Sequence, residues 1–214
     1  CSVRRQRQMC IRDSPYFVSG AVFSGFAMVQ TLMLIMRKAY KLEAYIHVKH
    51  VEYMNIVIIV TGSIVGVAYL TELFISWYSG VEYESYAFIN RFSGPYSLAY
   101  WTMMTCNVIS PQLFWIKKIR RSLIATFVLS IVVNIGMWFE RYVIIVTSLH
   151  RDYLPSSWGE FYPTAIDIGI FIGTLGIFST LFLMFTRFFP VLALNELKTI
   201  LKSSGESYKN QLDK

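Results

Sequence analysis

Apolar residues gather in five long runs separated by short polar connections. The runs are Tyr16 to Met36, Met54 to Tyr78, Tyr96 to Ile116, Ser122 to Leu149 and Thr164 to Phe189. Each approaches or exceeds the roughly 20 residues that a helix needs to cross a hydrocarbon core. In lipid the backbone must satisfy its own N–H and C=O groups, so each run is expected to be helical. The pattern predicts an all-α, polytopic transmembrane bundle of five membrane-spanning helices within residues 15–190. The fourth run has 28 residues. It would measure about 42 Å against a core of about 30 Å, so it tilts or stands proud on one side. Pro111 interrupts the third run and frees the carbonyl of Asn107, which makes either a simple kink or, with Gln112, one wall of a polar cavity. Gly62 with Gly66, and Gly169 with Gly173 and Gly176, have the spacing of close helix contacts. Beyond Pro190, residues Leu194, Leu197, Ile200 and Leu201 share one face. Residues 191–214 are therefore expected to be an interfacial helix ending in a polar, disordered cytoplasmic tail.

The basic residues orient these helices. Arg37, Lys38, Lys41 and Lys49 follow the first run. Lys117, Lys118, Arg120 and Arg121 follow the third, and Arg187, Lys198, Lys202, Lys209 and Lys214 lie at and beyond the end of the fifth. The opposite connections hold only Arg91 and Arg151. The bias predicts an N-terminus outside and a cytoplasmic C-terminus. Residues 1–14, CSVRRQRQMCIRDS, put Arg4, Arg5, Arg7 and Arg12 on the wrong side of that topology. They read as a non-native scar, the competing reading being a basic arm for lipid head groups. An odd number of spans, an outside start and a first residue other than Met suit a fragment that lacks an N-terminal half.

Composition agrees with the class. The chain of 214 residues is 55% hydrophobic and 15% charged, against about 25% charged in soluble domains. Its 16% aromatic content suits belts at the membrane boundaries. The net charge of +7 needs no nucleic-acid partner, since the basic side of a membrane protein explains it. Setting Cys1 and Cys10 aside with the scar leaves Cys106, so no disulfide framework, iron–sulfur motif or haem-attachment motif is present. No metal site is expected. His47 and His50 have ligand spacing but no third ligand nearby, and solvation in a basic loop explains them.

The candidate chemistry lies in the charges inside the runs, which are costly unless they pair or line a wet cavity. Glu72 falls near the outer end of the second run. Glu140 and Arg141 fall deep in the fourth, and adjacent helical residues point about 100° apart, so each is expected to find its own buried polar partner. His150, Arg151 and Asp152 close the fourth run. Asp167 opens the fifth, where the helix dipole alone would favour it. The ionisable groups thus crowd the outer third, and the inner two-thirds read as almost purely apolar.

The stretch from Asn134 to Asp152, NIGMWFERYVIIVTSLHRD, followed by Leu154-Pro155-Ser156-Ser157-Trp158, resembles the NrfD/polysulfide-reductase membrane-subunit family, in particular its ActC branch from alternative complex III. Pro15 to Met28, Trp77-Tyr78-Ser79-Gly80, Phe88-Ile89-Asn90-Arg91 and Pro111-Gln112-Leu113 echo it, and the likeness extends to about Asn195. The resemblance implies the second half of a two-half helix bundle that oxidises quinol or menaquinol near the outer face. It implies that this chain binds no cofactor itself. Iron–sulfur clusters and haem would sit in partners: an iron–sulfur/molybdopterin-like outer subunit, a multihaem cytochrome passing electrons to cytochrome c or a similar carrier, and a second NrfD-like membrane subunit. The family's quinol pocket lies largely in the first half, so this half alone is expected to be inactive.

Quinol oxidation releases two protons and two electrons, so a pocket needs a proton acceptor and an exit to water. His150, Asp152 and Asp167 are the candidate catalytic residues, Glu72 and Glu140 the candidate relay, and Arg141 and Arg151 their charge partners. Two other readings stand. An ion-coupled transporter would want a polar site at mid-membrane on broken helices, where only Pro111 breaks a span. A non-catalytic anchor of a molybdopterin-type oxidoreductase would not need Glu72, Glu140 and Arg141.

Overall fold

The computed structural model describes residues 2–80, 82–150, 156 and 158–189, and their side chains except at 2–14, 44, 83, 84, 87 and 148. Among these residues there is no strand, and 87% helix makes the chain all-α, as its apolar periodicity predicts. Helix α1 spans Ser2–Ala39, α2 Val48–Tyr78, α3 Glu82–Ser93 and α4 Ser97–Met104. Short elements come next: α5 Ser110–Gln112 and α6 Lys117–Arg120. Then come α7, Leu123–His150, and α8, Ala165–Phe188.

Among the described residues, four helices are long and apolar enough to cross a membrane: Pro15–Ala39, Val48–Tyr78, Leu123–Thr147 and Ala165–Phe188. The expected third span is built differently. From residue 97 to 115 the chain stays helical, but it passes from α4 through a π-helical turn at Thr105–Ile109, then α5, then a 3₁₀ turn at Leu113–Trp115. Pro111 is the physical reason. It lacks the N–H that would bond the Asn107 carbonyl, and the widened π turn absorbs the mismatch one turn earlier.

Residues 1–159 form one compact unit and 160–214 another. In the first, α1, α2, α7 and the α4–α5 run pack side by side. The α7 stripe shows why. Its buried positions are 126, 129, 130, 133, 136, 137, 140, 143, 146 and 150, the three-and-four spacing of one helical face. Phe23 and Ala27 of α1, Ile58 and Ile59 of α2, Phe114, and Leu129, Val133 and Met137 of α7 make one apolar layer. Val65 and Tyr69 of α2, Ala99, Tyr100 and Met103 of α4, and Val143 make a second. Gly62 is a contact glycine, as its spacing predicts. A Cβ there would lie 2.9 Å from Phe23 Cε2 and 3.0 Å from Pro111 Cβ. Gly66 is looser, with Val108 Cγ1 at 3.6 Å, and Gly169, Gly173 and Gly176 meet nothing within 4 Å.

The part of the bundle expected to be cytoplasmic is not purely apolar. Gln30, Asn55, Thr126 and Ser130 are fully buried and bonded together. Gln30 Nε2 donates to Asn55 Oδ1 at 2.8 Å, and Ser130 Oγ donates to Gln30 Oε1 at 3.3 Å. Asn55 Nδ2 donates to Thr126 Oγ1 at 3.0 Å and to the Arg120 carbonyl at 2.9 Å. Beside it Glu52 accepts from Arg120 at 3.1 Å and from Arg121 at 3.0 Å. The neutral side chains escape a scan for charges because each is ordinary alone. Only the packing of α1, α2 and α7 brings them together.

The side-chain packing of residues 1–14 and the form of the tail 191–214 lie outside the described residues.

Candidate functional site

At the Glu140 end of the first unit lies a cavity of about 330 Å³, walled by α1, α2, α3, α4 and α7. Tyr16, Tyr69, Thr71, Glu72, Arg91, Tyr100 and Glu140 supply its polar lining. Phe17, Ala68, Phe88, Met103, Val143 and Ile144 supply its apolar walls. The volume lies at the lower end of the usual range for small-molecule pockets, and the mix of apolar walls with a few convergent polar groups is typical of them.

Glu140 is the fixed point. It is 5% exposed, and both carboxylate oxygens are held. Oε1 accepts from the Tyr16 hydroxyl at 2.7 Å, and Oε2 from Asn107 Nδ2 at 3.0 Å. A hydrogen bond to a charged group contributes about 1.5–3 kcal/mol, and an unpaired buried charge costs more. The two donors come from α1 and from the π turn, so the carboxylate is set by two elements outside its own helix. Asn107 therefore holds the cavity's acid without itself lining the cavity. Its Oδ1 is buried without a hydrogen-bond partner, as is Ser110 Oγ. Gly136 explains how Asn107 fits. A Cβ there would collide with Asn107 Oδ1 and sit 2.6 Å from Cys106 Cβ.

Glu72 faces the same cavity from α2. Its carboxylate lies 3.7 Å from Arg91 of α3, with side-chain exposures of 48% and 25%. Arg91 also sits over the Phe88 ring at 5.1 Å. Arg91 and the tyrosines are the site residues that the acid-centred reading missed. Tyr16 stands at the foot of the first apolar run, and its spacing from the α2 tyrosine gives no hint that both reach Glu140's surroundings.

The other candidates part company. Arg141 is exposed, which corrects the expectation of a second buried contact. The turn of about 100° between neighbours puts Glu140 on the packed stripe of α7 and Arg141 off it. His150 does lie on that stripe and is 8% exposed. Its Nδ1 is 2.6 Å from the Gly159 carbonyl, and its ring meets Tyr96 edge-on at 5.2 Å. Tyr96 also contacts Tyr142 at 6.3 Å. His150 is ten residues beyond Glu140, about 15 Å along the helix, and does not line the cavity. Asp167 caps α8. Its Oδ2 accepts from Thr164 N at 2.9 Å and Thr164 Oγ1 at 2.7 Å, and its own N–H donates back to Thr164 Oγ1. Arg151 and Asp152 lie outside the described residues. His47 and His50 serve the start of α2, where His50 Nδ1 accepts from the His47 N–H at 3.2 Å.

Long apolar helices, packed through a sharply striped α7 around a cavity with one buried carboxylate, define a multi-pass membrane protein with a polar site at one end of its bundle. The sequence matches the NrfD polysulphide reductase family over residues 13–151. The chain belongs to that family. No curated protein sequence matches it.

Proposed function

We propose that the chain is a membrane module of a quinol-oxidising respiratory complex, and that the Glu140 cavity receives the quinol head group. The observation that carries this reading is Glu140 itself: a buried carboxylate, oriented from two sides, on the wall of a pocket with aromatic and apolar faces. A quinol needs such a surface. Its ring packs against Phe17, Phe88 and the tyrosines. One hydroxyl donates to Glu140, which takes that proton on oxidation, the second proton leaves to water on the Glu72 side, and two electrons leave for the partner. Glu72, half-exposed and opposite Arg91, passes the proton towards water. His150 is a candidate for the outer exit; Asp152 and Asp167 stay candidates of the sequence for proton release, as Arg141 and Arg151 do for charge partners.

The finer architecture accords with the same reading. The broken run from 97 to 115 makes a fifth crossing, the N-terminus is outside and the C-terminus is cytoplasmic, and the membrane is the bacterial inner membrane. The module is of the ActC type, with an iron–sulfur subunit on the outer face, a multihaem cytochrome and a second related membrane subunit as partners. Family membership supports this, since members typically partner iron–sulfur oxidoreductase subunits in a membrane.

The test is Glu140→Gln in the assembled complex. The amide keeps an acceptor for Tyr16, and Asn107 can turn over to match it, so assembly should persist. Loss of a proton acceptor typically costs about 10²–10⁴ in rate, and quinol oxidation should fall by that order. His150→Ala should slow turnover less. An assembled Glu140→Gln complex that turns over at the full rate would end the proposal.

A further inference from the structure

A second concavity, of about 610 Å³, lies at the opposite end of the same unit, between the ends of α1 and α7. Its walls are Leu34, Ile35, Leu123, Ile124 and Phe127, and its rim carries Arg37, Lys38 and Glu43. Arg37 Nε donates to the Ile46 carbonyl at 3.0 Å. That bond fixes the guanidinium at the rim and leaves the terminal nitrogens of the fork as donors. Lys38 is exposed beside it. A greasy groove under a cationic rim, beside a membrane-spanning helix, matches one class of molecule at both ends. Its phosphate pairs with Arg37 and Lys38, and its acyl chains lie on Leu34, Ile124 and Phe127. We propose that this groove is a binding site for one anionic phospholipid. A zwitterionic lipid gains less, because its own cation meets Arg37 and Lys38 and only Glu43 offsets them. Basic pockets between membrane helices recognise anionic head groups in this way, each basic residue near the surface contributing about a factor of five in affinity. The site is separate from the Glu140 cavity and does not depend on quinol chemistry.

The experiment reconstitutes the full chain in nanodiscs of phosphatidylglycerol or of phosphatidylcholine, releases it, and counts retained lipid by native mass spectrometry. The wild-type chain should hold one phosphatidylglycerol and release phosphatidylcholine. Lys38→Glu should weaken phosphatidylglycerol retention by on the order of tenfold. Lys49→Glu reverses an exposed charge outside the lining and should leave retention unchanged. Ile35→Trp fills the groove from an exposed position and should abolish retention without touching the rim charges. Equal retention of the two lipids would overturn the site, as would equal loss in Lys38→Glu and Lys49→Glu, which would indicate a diffuse surface charge. Displacement of the lipid by inorganic phosphate alone would overturn the role of the groove.

Discussion

Glu140 concentrates most of what the structure does with single side chains. Its carboxylate is held by Tyr16 and Asn107, and Asn107 is seated because residue 136 has no Cβ. Gly136→Ala is therefore expected to push Asn107 off the acid. Overpacking of this kind costs about 1–3 kcal/mol, and thermal unfolding in detergent should show it. A Gly136→Ala chain that melts with the wild type would mean that the π turn yields freely. The second residue-scale test is at Asn55, which bridges Gln30, Thr126 and the Arg120 carbonyl. Asn55→Leu keeps the branched shape, adds bulk, and leaves Gln30, Thr126 and the part-buried Arg120 carbonyl short of a partner. Each such group costs about 1–3 kcal/mol, so the loss of stability should exceed that of Thr126→Val, which removes one acceptor. Equal losses would show that water replaces Asn55.

Element by element, α7 is the most legible from sequence and the 97–115 run the least. A strict three-and-four stripe from Thr126 to His150 fixes which face of α7 packs, and Glu140 sits on it while Arg141 does not. Apolar content alone located the run from Tyr96 to Ile116. It could not show that a proline at 111 would be absorbed by a π turn at 105–109, nor that Pro111 would pack close to Gly62 of α2, a contact between residues far apart in sequence. The run still reaches from the α3 side of the unit to the basic segment around Lys117. If it crosses the membrane, Lys118→Cys reacts with an impermeant thiol reagent only from the cytoplasmic side. Labelling from outside alone would remove the fifth crossing and invert the orientation of the helices beyond it.

At the scale of the whole molecule, the first unit separates its chemistry by depth. A carboxylate-lined cavity occupies one end, an apolar layer around Phe23 and Phe114 the middle, and a neutral amide network with the Glu52 ion pairs the other. The acids of the first end are legible in the sequence because charges inside apolar runs stand out. The amides are not, since each costs little individually and they reveal themselves only when α1, α2 and α7 meet. Sequence order also groups His150 and Asp167 with the acids, whereas Asp167 is engaged in a capping box and His150 lies about 15 Å along α7 from Glu140, outside the cavity lining. The central claim is that quinol sits against Glu140. Photo-crosslinking of the assembled complex with an azido-quinone, mapped by peptide mass spectrometry, tests it most directly. Label is expected on Phe17, Ala68, Tyr69 or Ile144, competed away by unlabelled quinol. Competable label confined to another surface, with none on these residues, would contradict the claim.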